Sequence, residues 1–214
     1  MAMDGPFSEE LGANLLKKDG YKDNVVLCLN YDGKFGLNNM NNYFQCANHE
    51  GEAVVWGEWI YKKGDPILFN DSKRFPVLYN NLKGWIVEIE RNKTDIRFTI
   101  DIDMKLTEKE CKENEIEFVK DTGKYTRICL QIFKYNYNVP ENEIDEMRMK
   151  AVVPFQLAYA VSIHKAQGLE YDSVKIVIPD SISERVTHGV FYTAITRAKK
   201  KLKIYWSAET MTSV

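Results

Sequence analysis

The sequence predicts an α/β fold in which a parallel-sheet domain, carried on two segments of the chain, is interrupted by a β-rich insertion. The first observation is an apolar run of strand length at residues 24–31 (NVVLCLNY), typical of a strand buried on both faces of a parallel sheet. The second is a change at about residue 51 to short alternating runs separated by Gly, Asp, Asn and Pro. The third is the return of strand and helix patterns after Pro154.

Composition places the chain among globular proteins and gives no overall charge that would attract it to nucleic acid. The 214 residues are 44% hydrophobic and 28% charged, and the formal net charge is −2. Any nucleic-acid contact must therefore come from a local basic patch. No apolar run approaches the roughly 20 residues of a membrane span, and no signal-like segment opens the sequence. These features predict a cytoplasmic protein with no membrane partner.

The first segment of the parallel-sheet domain is predicted to cover residues 21–50. Its strand is followed by a turn with two glycines (YDGKFG) and then by a helix. Apolar residues at helical spacing predict that helix: Leu37, Met40, Phe44 and Ala47. Strand, loop and helix in this order form half of a βαβ unit. Residues 1–20 are interpreted as a tag or linker with a partial helix.

Residues 51–153 are predicted to form a small antiparallel barrel or sandwich. Every second residue is apolar in IRFTIDI, residues 96–102, as on the buried face of a strand. Three tryptophans fit either the core of such a unit or stacking on nucleic-acid bases, and core packing is favoured because aromatics dominate small β cores. These are Trp56, Trp59 and Trp85.

The second segment of the parallel-sheet domain is predicted to cover residues 154–208, with a tail at residues 209–214. FQLAYAVS and SVKIVI are predicted strands, ISERVTHGVFYTAITRAK a helix, and KLKIYW a closing strand. One apolar stripe predicts the helix: Val186, Val190, Ala194 and Ala198.

The four cysteines are predicted to be reduced and structural, because they lie far apart and form no C-x-x-C pair. They are Cys28, Cys46, Cys111 and Cys129. A zinc site that includes Cys46 and His49 is an alternative, but the favoured interpretation assigns no metal ligands to this chain.

The stretch SIHKAQG is a candidate binding segment because it directly follows a predicted buried strand, and ligand sites of open α/β sheets gather at the carboxyl ends of strands. Its polar side chains and the backbone N–H groups around them suit a phosphodiester backbone. The polar members are Ser162, His164, Lys165 and Gln167. On the residues alone, local capping by the same side chains is an equal alternative.

Arg197 is a second candidate, at the predicted junction of a helix and the last strand. Thr193 and Arg197 are four residues apart and face the same way on that helix. An arginine at this place is either a solvated surface residue or a planar, permanently charged group that reaches a phosphate. This segment alone favours the surface interpretation.

Together these segments resemble superfamily 1 helicases of the UvrD/RecD-like group. SIHKAQGLEYD resembles their motif V, and FYTAITRAK resembles their motif VI, in the same order and at a fitting separation. LNYDGKFGLNNMNNYFQ is similar to the start of their second RecA-like motor domain. KKGDPILFND and YNNLKGWIVEIE resemble the small barrel of Src-homology type inserted in that domain. The resemblance covers residues 24–206.

The resemblance implies roles for two groups of residues. Arg197 takes the place of the arginine finger, which offsets charge on the transferring phosphoryl group of ATP. Gly168 and Glu170 approach the nucleotide, with the carboxylate accepting from ribose, and Gln167 couples the nucleotide to the nucleic acid. The residues implied to line the track of a single strand are Ser162, His164 and Lys165.

The resemblance also implies ATP and Mg²⁺ as cofactors, bound mainly by an N-terminal RecA-like motor domain of the same protein. The 214 residues contain no G-x-x-x-x-G-K-[ST] phosphate loop, and DTGKYT, residues 121–126, is interpreted as a turn. We therefore expect a C-terminal motor domain of a helicase or translocase that is inactive alone. Single-stranded DNA and RNA both fit as partners. The alternative is a stand-alone nucleic-acid- or protein-binding module without ATPase activity.

Overall fold

The computed structural model describes three stretches of the chain, which are residues 24–31, 35–178 and 187–206. The interpretations of residues 1–20 and 209–214 fall outside these stretches, as does the place of Val186 in the helical stripe. The chain divides into two compact units. The first comprises residues 1–48 and 158–214, and the second comprises residues 49–157.

The described strands, in chain order, are β1 (Asn24–Cys28), β2 (Val54–Trp56), β3 (Trp59–Tyr61), β4 (Pro66–Phe69), β5 (Lys83–Arg91), β6 (Asp95–Ile102), β7 (Glu117–Asp121), β8 (Thr126–Phe133), β9 (Phe155–Leu157), β10 (Ala160–Ser162), β11 (Tyr171–Val177) and β12 (Ala198–Tyr205). The described helices are α1 (Leu37–Cys46), α2 (Glu108–Glu113), α3 (Ile144–Ala151) and α4 (His188–Ile195), with a 3-10 turn at Glu141–Glu143. Among these helices none is long and apolar enough to cross a bilayer.

A parallel four-stranded sheet organises the first unit. Its order is β10-β1-β11-β12, so strands from two distant segments of the chain lie side by side. Cys28 pairs with Ser162 on one side and with Val177 on the other, which sets the carboxyl ends of three strands at one level. The prediction of a mixed α/β fold with a parallel sheet is confirmed.

Helix α1 covers this sheet with the apolar face that its spacing predicts. Leu37, Met40 and Phe44 are all buried, and they share a core cluster with Val26 and Tyr159. The helix ends at Cys46, so Ala47 is its C-cap and not part of the apolar face. Burial of these side chains on β1 and β10 supplies the hydrophobic stabilisation of the unit.

Asn41 is the polar exception on the buried face of α1. Its Nδ2 donates to the carbonyl oxygen of Ala160 at 3.1 Å, and its Oδ1 accepts from the N–H of Ala160 at 3.0 Å. β10 is an edge strand of the sheet, and a buried backbone group on such an edge needs a partner. The amide of Asn41 meets that need by imitating a neighbouring strand.

The helix predicted to reach Ala198 is shorter than expected, because α4 ends at Ile195. The hydroxyl of Thr196 donates to the carbonyls of Tyr192 and Thr193, and Ala198 already pairs with Tyr171 in the sheet. Strand pairing therefore takes over directly after Arg197. Ala194 is buried as predicted, whereas Ala198 belongs to β12.

An antiparallel six-stranded sheet organises the second unit, in the order β7-β8-β6-β5-β4-β9, and β2 and β3 form a separate hairpin. The apolar residues that alternate along β6 are buried: Ile96, Phe98, Ile100 and Ile102. Buried Asp101 receives two hydrogen bonds from the Arg127 guanidinium, at 2.6 and 2.9 Å, a bidentate pair across neighbouring strands. The segment DTGKYT forms the turn between β7 and β8, as predicted.

The predicted continuous strand FQLAYAVS is wrong, and with it the start of the second segment at residue 154. Phe155–Leu157 pairs with β4 in the antiparallel sheet, whereas Ala160–Ser162 pairs with β1 in the parallel sheet. Ala158 and Tyr159 separate the two strands and are buried. Because most residues of the stretch are apolar from one strand into the next, its pattern gave no sign that the chain passes from one sheet to another.

The four cysteines are free thiols, three of them buried and Cys46 exposed. Burial raises the pKa of Cys28 to about 12, so this thiol stays protonated at neutral pH. Among the described residues no group of three or more His, Cys, Asp or Glu side chains could hold a metal ion.

We expect Asn41→Ala to lower the free energy of unfolding by about 1–3 kcal/mol, because it leaves the N–H and C=O of Ala160 buried without partners. Urea unfolding of the chain measures this change. Asn42→Ala is the matched control, since Asn42 is the exposed neighbour on the same helix. Equal stabilities for the two variants would show that the amide of Asn41 does not hold the edge strand.

Candidate functional site

Motif-V residues 163–168 form a run of turns that leaves β10 at the carboxyl end of the sheet. Ser162 is 4% exposed, and its hydroxyl accepts a hydrogen bond from the N–H of Lys165 at 3.4 Å. The N–H of Ala166 donates to the carbonyl of Ser162 at 3.1 Å. Ser162 therefore acts first as a cap for the turn, which is the alternative that the sequence left open.

His164 and Lys165 are the two side chains near the start of this turn that reach the surface. His164 is exposed and Lys165 is half-buried. Burial lowers the pKa of the Lys165 ammonium, and the negative form of Tyr31 opposes that effect. These cationic or polar groups lie at the carboxyl end of β10, the end where ligands gather in open α/β sheets.

Tyr31 is a residue of this region that the sequence interpretation missed. It comes three residues after β1, is 50% exposed, and is close enough to Lys165 to influence the charge of that lysine. An exposed aromatic ring beside an ammonium group is suited to stack on a base whose phosphate the ammonium holds. An aromatic residue just beyond a buried strand was the signal in the sequence.

Gly168 ends the turn with a φ of +81°, a left-handed conformation that residues with a Cβ rarely adopt. A Cβ at this position would meet nothing within 4 Å, so the backbone conformation and not space requires glycine. Gly168 and Gln167 are both exposed. The turn leads the chain from the carboxyl end of β10 to the amino end of β11.

Arg197 lies at that amino end and is hydrogen-bonded to the end of motif V. Its Nη1 donates to the carbonyl of Leu169 at 3.3 Å, and the N–H of Tyr171 donates to the carbonyl of Arg197 at 2.9 Å. Its Nε donates to the Thr193 carbonyl at 2.9 Å, and Nη2 donates to the Thr196 hydroxyl at 3.0 Å. The structure thus brings the two motifs into direct contact.

The guanidinium of Arg197 keeps hydrogen-bonding capacity in this arrangement. All three of its side-chain acceptors are neutral oxygens, and no carboxylate among the described residues forms an ion pair with it. A guanidinium has five N–H donors, so two are left for another group. Its positive charge is therefore held in place but not neutralised.

Glu170 directly follows Leu169, whose carbonyl accepts from Arg197, but its own carboxylate is paired with a different residue. Its Oε2 is 3.0 Å from Nζ of Lys199, and both side chains are more than half exposed. Ion pairs of this kind contribute about 0–1 kcal/mol and exchange readily. Glu170 can thus leave Lys199 for a ligand at small cost.

The predicted site residues fall into two groups at opposite ends of the sheet. Ser162, His164 and Lys165 lie at the carboxyl end, and Glu170 and Arg197 lie at the amino end. The seven residues of β11 separate these levels by about 20 Å, at roughly 3.3 Å per residue. The first unit therefore has two separate candidate contact regions, one at each end of the sheet, and the motif-V turn connects them.

The sequence of this unit matches a known family. Residues 157–205 match the UvrD-like helicase C-terminal domain. The chain contains a UvrD-like helicase C-terminal domain. The match includes every residue of motifs V and VI discussed above, and the resemblance to superfamily 1 helicases of the UvrD/RecD-like group is confirmed.

Relatives of this helicase domain extend the similarity over most of the chain. The RecBCD enzyme subunit RecD of Mycolicibacterium smegmatis is 41% identical over 180 residues, 84% of this chain and 24% of that protein. RecD of Buchnera aphidicola subsp. Schizaphis graminum is 26% identical over 195 residues, 88% of this chain and 26% of that protein. The chain spans about a quarter of the length of these relatives.

Solved helicase structures give a more distant likeness. One of them is a structure of two coordinating Pif1 helicases that concerns DNA unwinding at forked double-stranded DNA. Its TM-score is 0.48 and its sequence identity to this chain is 18%. The superposition covers 97% of this chain and 45% of that one. The assignment to the family depends on the sequence matches and not on this superposition.

We expect Gly168→Ala to destabilise the chain by about 1–2 kcal/mol, the cost of placing a residue with a Cβ in a left-handed conformation. Gly189→Ala is the matched control, because a Cβ there also meets nothing within 4 Å but the residue lies in α4. That change is expected to be neutral or stabilising. If urea unfolding gives the same stability for both variants, strain at Gly168 is not what keeps the glycine.

Proposed function

We propose that this chain is the C-terminal motor domain of an ATP-dependent superfamily 1 helicase or translocase. In this proposal it supplies an arginine finger and part of a single-strand track. An N-terminal RecA-like motor domain supplies the phosphate loop and most of the contacts to ATP and Mg²⁺. The chain alone then hydrolyses no ATP, because phosphoryl transfer needs both the loop and the metal.

The observation that carries the proposal is the attachment of Arg197 to motif V. The guanidinium is positioned by three neutral oxygens and retains two N–H donors and its full charge. A fixed cation of this kind stabilises negative charge that develops on a transferring phosphoryl group. Hydrogen bonds between Arg197 and the segment Leu169–Tyr171 also give a physical link between nucleotide and motif V.

Gly168, Glu170 and Gln167 complete the nucleotide side of the proposal. Glu170 is exposed and held only by a surface ion pair, so its carboxylate is available to a ribose hydroxyl. Gln167 lies on the turn between the two ends of the sheet, a fitting place for a residue that couples nucleotide and nucleic acid.

Ser162, His164 and Lys165 are proposed to bind the backbone of a single strand at the carboxyl end of the sheet. The ammonium of Lys165 pairs with phosphate, and His164 donates from an exposed position. Ser162 is buried, so its part is to fix the turn that carries the other two. Contacts of this type hold DNA or RNA without reading sequence.

The finer fold assignment belongs to the same proposal. We infer that the first unit is RecA-like and that the second unit, residues 49–157, is the inserted small barrel that the sequence predicts at residues 51–153. The antiparallel six-stranded sheet and the accompanying hairpin support a barrel-like unit. A stand-alone binding module derived from a helicase is the competing function, and loss or retention of ATPase in Arg197 variants separates the two.

In the complete protein, Arg197→Ala is expected to lower kcat for ATP hydrolysis by about 10³-fold or more, the usual contribution of an arginine finger. Nucleotide affinity should change far less, because the phosphate loop provides most of the binding. Arg197→Lys should also be strongly impaired, since an ammonium lacks the planar fork that the neighbouring carbonyls hold. Steady-state ATPase assays with labelled-nucleotide binding measure both effects.

Lys201→Ala is the control for this experiment, because Lys201 is an exposed cation on β12, a few residues beyond Arg197. Thermal unfolding of each variant checks that the fold survives loss of the three hydrogen bonds. ATPase activity close to that of the unmodified protein in Arg197→Ala would reject the finger.

Single-strand affinity is expected to fall at alkaline pH, because burial lowers the pKa of Lys165 and its ammonium is lost earlier than that of an ordinary lysine. Lys165→Arg should keep its affinity over the same pH range, since arginine stays charged. Anisotropy of a labelled oligonucleotide at low salt provides the measurement. Parallel pH profiles for both proteins would count against phosphate binding by Lys165.

A further inference from the structure

The second unit contains a groove that none of the candidate site residues of the first unit lines. Its volume is about 670 Å³, within the range of about 300–1,000 Å³ that is typical of ligand sites. Strand β2 and the turn after it form one side, and the β5–β6 turn and the end of β8 form the other. The lining residues are Val55, Trp56, Gly57, Arg91, Asn92, Lys93 and Lys134.

Three cations face this groove without a carboxylate partner. Arg91, Lys93 and Lys134 are exposed, and in the part of the chain that the structure describes no ion pair involves any of them. Other cations of the same unit do pair, as Arg97 does with Glu117 and Arg127 with Asp101. The groove is therefore a local positive site in a chain whose net charge is −2.

Besides the three cations, the groove has an aromatic wall, which Trp56 provides. Trp56 is partly buried and lines the groove, and it pairs across the hairpin with Trp59, whose exposed fraction is 56%. Core packing, the interpretation favoured from sequence, is right for Trp85, which is 4% exposed, and wrong for Trp59. Trp56 therefore gives the groove a partly exposed indole on which a planar ring can stack, beside its three cations.

The β5–β6 turn that carries Lys93 is held by hydrogen bonds to the buried carboxylate of Asp95. Buried Asp95 accepts hydrogen bonds from Asn92 at 3.3 Å, Thr94 at 3.3 Å and Gln131 at 2.9 Å. The hydrogen bond from Gln131 contributes most to lowering the pKa of Asp95, so the carboxylate stays charged. The N–H of Lys134 donates to the Thr94 carbonyl at 2.7 Å, which ties the third cation to the same turn.

We propose that this groove binds a single strand of nucleic acid, with phosphates on Arg91, Lys93 and Lys134 and a base stacked on Trp56. An acidic peptide would satisfy the cations but would gain little from the indole face. A single strand offers both a charge at every nucleotide and an aromatic ring beside it. This contact lies in a different unit from Arg197 and does not depend on the proposed motor function.

The test compares three forms of the 214-residue chain in binding to a labelled oligothymidylate over a range of salt concentrations. Lys93→Glu combined with Lys134→Glu is expected to weaken binding at least about 5-fold, and to reduce the slope of log affinity against log salt by about 1.4 for two lost phosphate contacts. The control combines Lys112→Glu with Lys120→Glu, which gives the same charge change at exposed positions outside the groove. Control affinity should stay close to that of the unmodified chain.

Tryptophan fluorescence tests the stacking part of the proposal. Oligothymidylate should quench the emission of the unmodified chain, and Trp56→Phe should remove a distinct part of that quenching while keeping a ring against the core. Circular dichroism and thermal unfolding confirm that each variant is folded.

Three outcomes would overturn the proposal. The first is equal loss of affinity in the groove variant and in its control. The second is unchanged quenching in Trp56→Phe. The third is competition by polyglutamate as effective as that by unlabelled oligothymidylate, which would assign the groove to an acidic protein. His164→Ala with Lys165→Ala is measured in parallel, so that a failed groove and a failed track at the parallel sheet are told apart.

Discussion

Pairing of β1 with strands on both sides is the interaction on which the rest of the first unit depends. Cys28 sets the level of Ser162 and of Val177, and this register fixes where the motif-V turn begins. It also fixes where β11 and β12 start, and so the place of Arg197. A slip of one residue would turn every side chain of β1 to the opposite face of the sheet. The geometry of both contact regions is thus a consequence of one buried strand.

Two hydrogen bonds position the motif-V turn relative to the strands of this sheet. The hydroxyl of Ser162 holds the start of the turn, and the carbonyl of Leu169 holds the guanidinium at its end. Between them Gly168 adopts a conformation that lets the chain reach the amino end of the sheet. The turn is therefore held at both ends, whereas Gln167 between them is exposed.

The elements that could be predicted from sequence are those with a local pattern. The apolar run of β1 and the spacing of Leu37, Met40 and Phe44 each predicted an element that the structure contains. The division of Phe155–Leu157 from Ala160–Ser162 could not be found in this way, since the mainly apolar pattern continues through both strands and only tertiary pairing separates them. The groove in the second unit could not be predicted from the sequence either, because Trp56, Lys93 and Lys134 are far apart in the chain and only the fold brings them together.

Motifs located the candidate site more sharply than periodicity did, and periodicity alone misplaced the end of α4. Arg197 was ambiguous as a single residue and became informative only beside motif V, where the structure also places it. Tyr31 was given no role by the motifs, and its place beside Lys165 is evident only from the structure.

The amide of Asn41 has a meaning for the behaviour of the protein in solution as well as for its own fold. An unpaired strand edge invites a strand from a second molecule, and this is how many sheet proteins come to oligomerise or aggregate. By occupying both backbone groups of Ala160, one side chain closes the place where such recruitment would begin. The helix that covers the sheet therefore also blocks strand addition at Ala160 on the β10 edge.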